Sequence, residues 1–376
     1  MQKDVFGLIY AGEENINLRE LINERSVSAL PVGGRYRVID FMLSNMVNSG
    51  IRNVGVITRK NYQSLMDHVG SGKEWDLSRK NDGLFILPPF DTFENAGNYQ
   101  GLVDTIKGAG SYLRRVPQQY CLLTGSFTIF NGIFDDMFRQ HLETGADITI
   151  LYNVEDELSA APAVKFRDVR LETNEEGRVI DMQYKANLSK CTKVSMDAYL
   201  IKKDLLEFLV DDAMAHNKYD LVTDVIMANL DRLKVYGYEH KGYVARMNSV
   251  ASYYKINMDF LKPEVQKDLF FTGRNIYTKS KDEAPTKYGP EAQVKNSLVA
   301  SGCVIEGEVE NSILFRGVYV AKGTKIKNSI IMQDSQIYEN ASLDKVILDK
   351  RVNIRPYTNL VGNKSYPVII PKGAIV

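Results

Sequence analysis

The stretch Pro31-Val32-Gly33-Gly34-Arg35-Tyr36-Arg37-Val38-Ile39-Asp40-Phe41, continued by Leu43-Ser44-Asn45 and Asn48-Ser49-Gly50-Ile51, organises the first half of the chain. Gly33-Gly34-Arg35 reads as a turn leading into a helix near Asp40, since glycine admits the positive φ of tight turns. Phe41–Ser49 shows helical apolar spacing, and the short apolar run Val54–Ile57 follows it. Similar runs at Val5–Tyr10, Tyr120–Leu123 and Ile148–Tyr152 read as strands buried on both faces. Leu102–Arg114 and Ile133–Thr144 supply helical spacing between them. This alternation predicts an α/β domain with a mostly parallel sheet covered on both sides. Ligands of such sheets bind outside the carboxyl ends of the strands, which directs attention to the loops after Tyr10 and Leu123.

The second half has another period. Asn296-Ser297-Leu298, Asn311-Ser312-Ile313 and Asn328-Ser329-Ile330 recur at intervals of 15 and 17 residues, with Asp344-Lys345-Val346 next. Gly302, Gly307, Gly317 and Gly323 lie between them, and Val or Ile recurs in short steps. Short apolar steps with turn residues at the corners predict a parallel β-helix. The expected domains are 1–262 and 291–376, joined by a linker over 263–290.

Bulk properties exclude several classes. Lys plus Arg equals Asp plus Glu at 47 each, so no global field recruits nucleic acid or an acidic membrane. Cys121, Cys191 and Cys303 are far apart and form no CxxC pair, which argues against a zinc site or a disulfide framework. The apolar run Val5–Ala11 is too short to cross a membrane, and Glu13-Glu14 end it without a small-residue cleavage site, so a cytoplasmic location is expected. His68, His141, His216 and His240 show no metal-ligand spacing. No histidine follows His240, so the β-helix lacks the histidine base of hexapeptide acyltransferases and is expected to serve assembly.

Several ordered motifs carry a family resemblance. Beside the opening stretch stand Trp75-Asp76-Leu77-Ser78-Arg79 with Leu87-Pro88-Pro89, Tyr99-Gln100-Gly101 with Asp104, and Ser195-Met196 with Tyr199. Over nearly its whole length the chain resembles bacterial glucose-1-phosphate adenylyltransferases, whose corresponding motifs read WDLxR…LPP, YxGTADA and SMGIY. The resemblance implies a Rossmann-like nucleotidyltransferase domain followed by a left-handed parallel β-helix of hexapeptide-like repeats.

The charged stations of that family are altered. Its AGGxGxRL loop is Ala11-Gly12-Glu13-Glu14-Asn15-Ile16-Asn17-Leu18 here. Glu13 and Asn15 replace glycines that let backbone amides approach a triphosphate, and Asn17 replaces the arginine that neutralises it. A carboxylate ~4 Å from a phosphate oxygen is repelled by ~4 kcal/mol at an effective dielectric near 20. The family's SGDH, whose aspartate holds magnesium, is Thr124-Gly125-Ser126-Phe127. Neither Ser126 nor Phe127 supplies the anionic oxygen that a hard cation needs. The second metal aspartate of GYWxDxGT aligns with Arg246, and the lysine of AKPAVP with Val27. The sugar-phosphate motif EKP aligns with Tyr184-Lys185-Ala186.

The resemblance therefore implies the regulatory-subunit branch of the family: a chain without catalytic residues or a metal of its own, acting in glycogen biosynthesis. Its expected partner is the catalytic subunit, in a hetero-oligomer, as a tetramer, with Mg2+ confined to that subunit. Residual ligand binding would fall to Gly12, Tyr99, Gly101, Asp104 and Lys185, with Tyr99 read as either core or adenine-stacking. Arg25, Arg35 and Arg37 would serve a phosphorylated sugar effector or an interface. Two other readings stand beside this one. The first is an active nucleotidyltransferase using Asp220 and Asp224 as substitute carboxylates, and the second is a non-catalytic sugar-phosphate or nucleotide sensor.

Overall fold

The structure is a computed structural model that describes residues 4–12, 16–89, 99–155, 168–184, 191–363 and 366–376. The chain packs as two compact units: Met1–Glu13 with Phe41–Val244, and Glu14–Asp40 with Ala245–Val376. Among the described residues no helix is long and apolar enough to cross a membrane.

Among the described residues, the first unit is built on a nine-stranded sheet. Its strands are β1 (Val5–Tyr10), β2 (Asn53–Ile57), β3 (Gly83–Leu87), β4 (Tyr120–Gly125), β5 (Ile148–Val154), β6 (Val169–Thr173), β7 (Val179–Tyr184), β8 (Lys193–Lys202) and β9 (Val235–Glu239). Strands β3-β2-β1-β4 are parallel neighbours. Beyond β4 the sheet becomes mixed: β8 runs antiparallel to β4, β5 and β6, while β9 runs parallel to β5. The parallel character expected from the sequence thus holds for the half that carries the strand–helix alternation. All six residues of β1 are buried, as a strand covered on both faces requires.

Helices α1 (Val38–Asn48), α2 (Gln63–Val69), α3 (Leu102–Gly108), α4 (Gly110–Arg115), α5 (Asp135–Thr144) and α6 (Lys203–Ala215) accompany these strands. The run Leu102–Arg114 is broken into α3 and α4 at Ala109, between Gly108 and Gly110, the poorest helix formers after proline. Val103, Ile106, Leu206 and Val210 of α3 and α6 share one core with Phe6, Leu8, Leu123, Ile150 and Tyr199 of the sheet. The polar residues of the opening stretch are structural within this unit. Asn45 donates from Nδ2 to the Phe130 carbonyl at 3.0 Å and accepts from the Gly132 amide at 3.1 Å. Ser49 Oγ accepts from the Phe134 amide at 2.9 Å, so α1 holds the 130–134 segment by polar contacts. Gly50, at φ 76°, ends the helix with its amide on the Val47 carbonyl at 3.0 Å.

The second unit contains a three-sided parallel β-helix, three sheets of five parallel strands each. One coil comprises Val304–Ile305, Glu308–Glu310 and Ile313–Leu314, and the coils stack in register. Its interior is filled by Ile305, Val309, Leu314, Val320, Ile326, Ile331, Ile337 and Leu343. The Asn-Ser recurrence now has a physical reason. Asn296, Asn311 and Asn328 occupy positive φ of 45°, 47° and 47° at one corner, a conformation Asn tolerates better than most residues. The Ser297 hydroxyl accepts the Ser312 amide, Ser312 the Ser329 amide, and Ser329 the Val346 amide, each at 3.1 Å. Each coil thereby satisfies a corner amide of the next. On one outer face Lys325 pairs with Glu308 at 3.4 Å and Lys327 with Glu310 at 3.0 Å, which adds a modest cross-strand term.

The segment 14–40 belongs to this unit. Gly33 and Gly34, at φ 58° and 81°, turn the short hairpin Pro31–Val32/Tyr36–Arg37. Helix α7 (Val250–Asp259) anchors it: the Tyr253 hydroxyl donates to the Pro31 carbonyl at 2.7 Å, and Asn257 Oδ1 accepts the Gly33 amide at 3.0 Å. The expected linker contains α8 (Pro263–Phe270), whose Phe270 stacks on Tyr36 at 5.3 Å.

Truncating Ile331 in the fully buried β-helix interior, as Ile331→Ala, is expected to destabilise the second unit by about 2–5 kcal/mol. Ser312→Ala, which removes the hydroxyl that accepts the Ser329 amide and donates to the Glu310 carbonyl, should cost about 1–3 kcal/mol. Urea denaturation followed by circular dichroism measures both, and the isoleucine change should be the larger.

Candidate functional site

At the carboxyl end of β1, Gly12 is buried beneath Arg59, whose side-chain stem lies 2.6 Å from where a Cβ on Gly12 would stand. The Arg59 guanidinium donates to the Tyr99 carbonyl at 2.7 Å, placing a cation near the carboxyl ends of β1 and β2 that the sequence motifs did not flag. Glu13, Asn15 and Lys185 lie outside the described residues. Asn17 is exposed in the 3-10 segment Ile16–Ile22 of the second unit, and Val27 is buried in the turn Val27–Ala29. Arg246 is half-buried in the second unit.

Gly101 and Asp104 form the start of α3. A Cβ on Gly101 would lie 2.1 Å from the Tyr219 carbonyl oxygen, so only glycine fits this approach. The Asp104 carboxylate accepts the Gly101 amide at 3.0 Å and the Gln100 amide as well, satisfying donors that a helix start leaves open. Tyr99 is buried, and its hydroxyl lies 2.7 Å from the place of a Cβ on Gly108. Tyr99, Gln100, Asp104 and Gly108 line a cavity of about 610 Å3 together with Pro88, Lys107, Arg114 and Tyr219.

Asp220 and Asp224 are engaged in local structure. Asp220 Oδ1 accepts the amides of Val222 and Thr223, both at 2.8 Å, and so caps the helical turn Leu221–Ile226. Asp224 Oδ2 accepts the amides of Tyr219 at 3.1 Å and Asp220 at 3.0 Å. Among the described residues, no three His, Cys, Asp or Glu side chains are grouped so as to hold a metal ion. His141 is structural: it meets Thr149 Oγ1 at 2.8 Å, and burial lowers its pKa to about 4.

The carboxyl end of β4 is closely filled. Ser126 and Phe127 are both buried there. Beside them β8 bulges: Ser195 pairs with Tyr152 and Tyr199 with Ile150, so three residues of β8 face one of β5. Within the bulge Asp197 adopts φ 54°, its amide donating to Ser195 Oγ at 3.1 Å. A Cβ on Gly125 would lie 2.2 Å from Asp197 Oδ2 and 3.0 Å from the Phe127 ring. The sequence carried this signal, since the family's SMGIY places glycine where Asp197 stands.

A cationic cluster lies within the second unit. Arg25, only 3% exposed, pairs through Nη2 with Asp349 Oδ1 at 2.9 Å. Arg37 donates to the Ala29 carbonyl at 3.2 Å, and its amide donates to Asp40 Oδ2 at 2.9 Å. Lys350, absent from the motif reading, completes the group. Burial first, then the charges of Arg37 and Arg25, lower its ammonium pKa to about 7, although Asp349 opposes them. Arg35 stands apart, exposed, with its guanidinium carbon 5.5 Å from the Tyr36 ring centroid. Such partly buried, like-charged cations favour an added anion.

Known proteins converge on the same architecture. The family described as nucleotidyl transferase matches residues 6–262, and the GlmU-like C-terminal hexapeptide family matches 284–365. The chain is 38% identical over 364 residues to the glycogen biosynthesis protein GlgD of Bacillus subtilis (strain 168), covering 96% of this chain and 93% of that protein. It is 39% identical over 375 residues to the glycogen biosynthesis protein GlgD of Geobacillus stearothermophilus, covering 100% and 98%. Glucose-1-phosphate adenylyltransferase of Geobacillus stearothermophilus is 34% identical over 332 residues, covering 87% and 84%. The chain belongs to the nucleotidyl transferase family, among the GlgD and glucose-1-phosphate adenylyltransferase proteins.

Proposed function

We propose that this chain is a catalytically deficient, regulatory subunit of glucose-1-phosphate adenylyltransferase, working in glycogen biosynthesis by association with a catalytic subunit. That enzyme joins ATP and glucose 1-phosphate into ADP-glucose and diphosphate. The observation that carries the proposal is the carboxyl end of β4, where Ser126 and Phe127 are buried at the positions that the resemblance aligns with the family's magnesium aspartate. A hydroxyl and a phenyl ring do not replace a carboxylate for a hard cation. The reading of an active enzyme with substitute carboxylates loses support, because Asp220 and Asp224 are spent on four backbone amides. In this proposal Mg2+ works at the partner, and the assembly is a cytoplasmic hetero-tetramer.

Arg25, Arg37 and Lys350 supply the regulatory part of the proposal: they would take a phosphorylated sugar, whose phosphate relieves the crowding of cations. Lys350 makes this testable through pH. Its folded pKa, about 7, lies below the ordinary lysine value of 10.5. Between those values the unfolded chain binds more protons, so stability rises with pH. Phosphate binding favours the protonated amine, so it takes up protons near pH 7 to 9.

Purified alone, the chain should form no ADP-glucose with Mg2+, whereas co-expression with the catalytic homologue should give a larger assembly with altered kinetics. Turnover by the chain alone within the usual enzyme range of ~1–1000 per second would sink the proposal. Thermal unfolding should show stability rising from about pH 7 toward pH 10 in the unaltered chain. Lys350→Met should flatten that rise and weaken the stabilisation given by inorganic phosphate at pH 7.

A further inference from the structure

The β8 bulge carries a residue whose conformation and position call for a separate explanation. Asp197 holds φ 54°, a left-handed conformation that Asp adopts more readily than most residues with a Cβ, and it is only 6% exposed. Its carboxylate is pressed against Gly125 at the last residue of β4, with Oδ2 2.2 Å from where a Cβ would project. The Phe127 ring stands 3.0 Å from the same point. Only a glycine at position 125 accommodates both neighbours.

We infer that Asp197 is an exclusion residue: its buried carboxylate fills the carboxyl end of β4 and keeps phosphorylated ligands out of the former reaction centre. This rests on the proposed reading of that strand end as the former metal station. The location follows the general rule that ligands of open α/β sheets approach the carboxyl ends of the strands. A fixed carboxylate ~5 Å from a phosphate, at an effective dielectric near 20, weakens binding by more than tenfold. The side chain also takes volume that a glycine would leave open. Ser195 reinforces the block, since its hydroxyl accepts the Asp197 amide and holds the bulge. A metal-holding role is the weaker account, because among the described residues no group of three metal-ligating side chains gathers. The division of labour is then physical. This chain sheds substrate, and its partner retains it.

Calorimetry with glucose 1-phosphate and with ADP-glucose, on the full chain and on Asp197→Asn and Asp197→Gly, tests the assignment. Both variants should bind at least one of the two ligands tenfold or more tightly than the unaltered chain. Asp197→Asn isolates charge, and Asp197→Gly also removes bulk. A change of less than threefold for both ligands in both variants, with the fold intact by circular dichroism, overturns the assignment. So does Mg2+ binding to the unaltered chain that Asp197→Asn abolishes. Turnover by the unaltered chain would instead refute the deficient-subunit reading, and it is measured separately from these affinities.

Discussion

A guanidinium cannot be buried without a partner, and the second unit is organised around that constraint. Arg25 and Asp349 are each 3% exposed at their side chains and meet at 2.9 Å. Breaking such a pair by removing one member leaves an uncompensated buried charge, at a cost of about 3–5 kcal/mol. The pair ties the N-terminal segment 14–40 to a β-helix strand end more than three hundred positions later in sequence. The Tyr253 and Asn257 hydrogen bonds to Pro31 and Gly33 act in the same direction. Lys350, next to Asp349, is left with more positive than negative neighbours, and its depressed pKa follows from that imbalance and from burial.

The first unit is governed by a different constraint, close approach. Gly101 meets a carbonyl oxygen, Gly125 a carboxylate and a phenyl ring, and Gly12 an arginine stem, all nearer than a Cβ allows. In this chain protein atoms fill the approach at Gly125, and Asp104, Asp220 and Asp224 spend their carboxylates on helix starts. The scaffold is therefore kept by contacts that are indifferent to whether a substrate binds.

Much of this was legible in the sequence. Strands β1, β2, β4 and β5 were read within a few residues because doubly covered strands leave continuous apolar runs. The Asn-Ser recurrence revealed the β-helix because each coil must solve the same corner, with positive φ at Asn and a serine to receive the next amide. The α3–α4 break at Ala109 was less visible, since apolar spacing continues through Gly108 and Gly110. The antiparallel half of the sheet was also hidden, because β8 is a long buried strand whose direction is set by its partners.

The sequence by itself determined the family and the two architectures, since each depends on residue types at fixed spacing. Only the tertiary structure decided which side chains share a space. It placed Lys350 beside Arg25 and Arg37, spent Asp220 and Asp224 on amides, and set the carboxylate of Asp197 against Gly125. Those outcomes depend on contacts between residues distant in the chain, or on a bulge that re-aims one side chain, and neither leaves a period in the sequence.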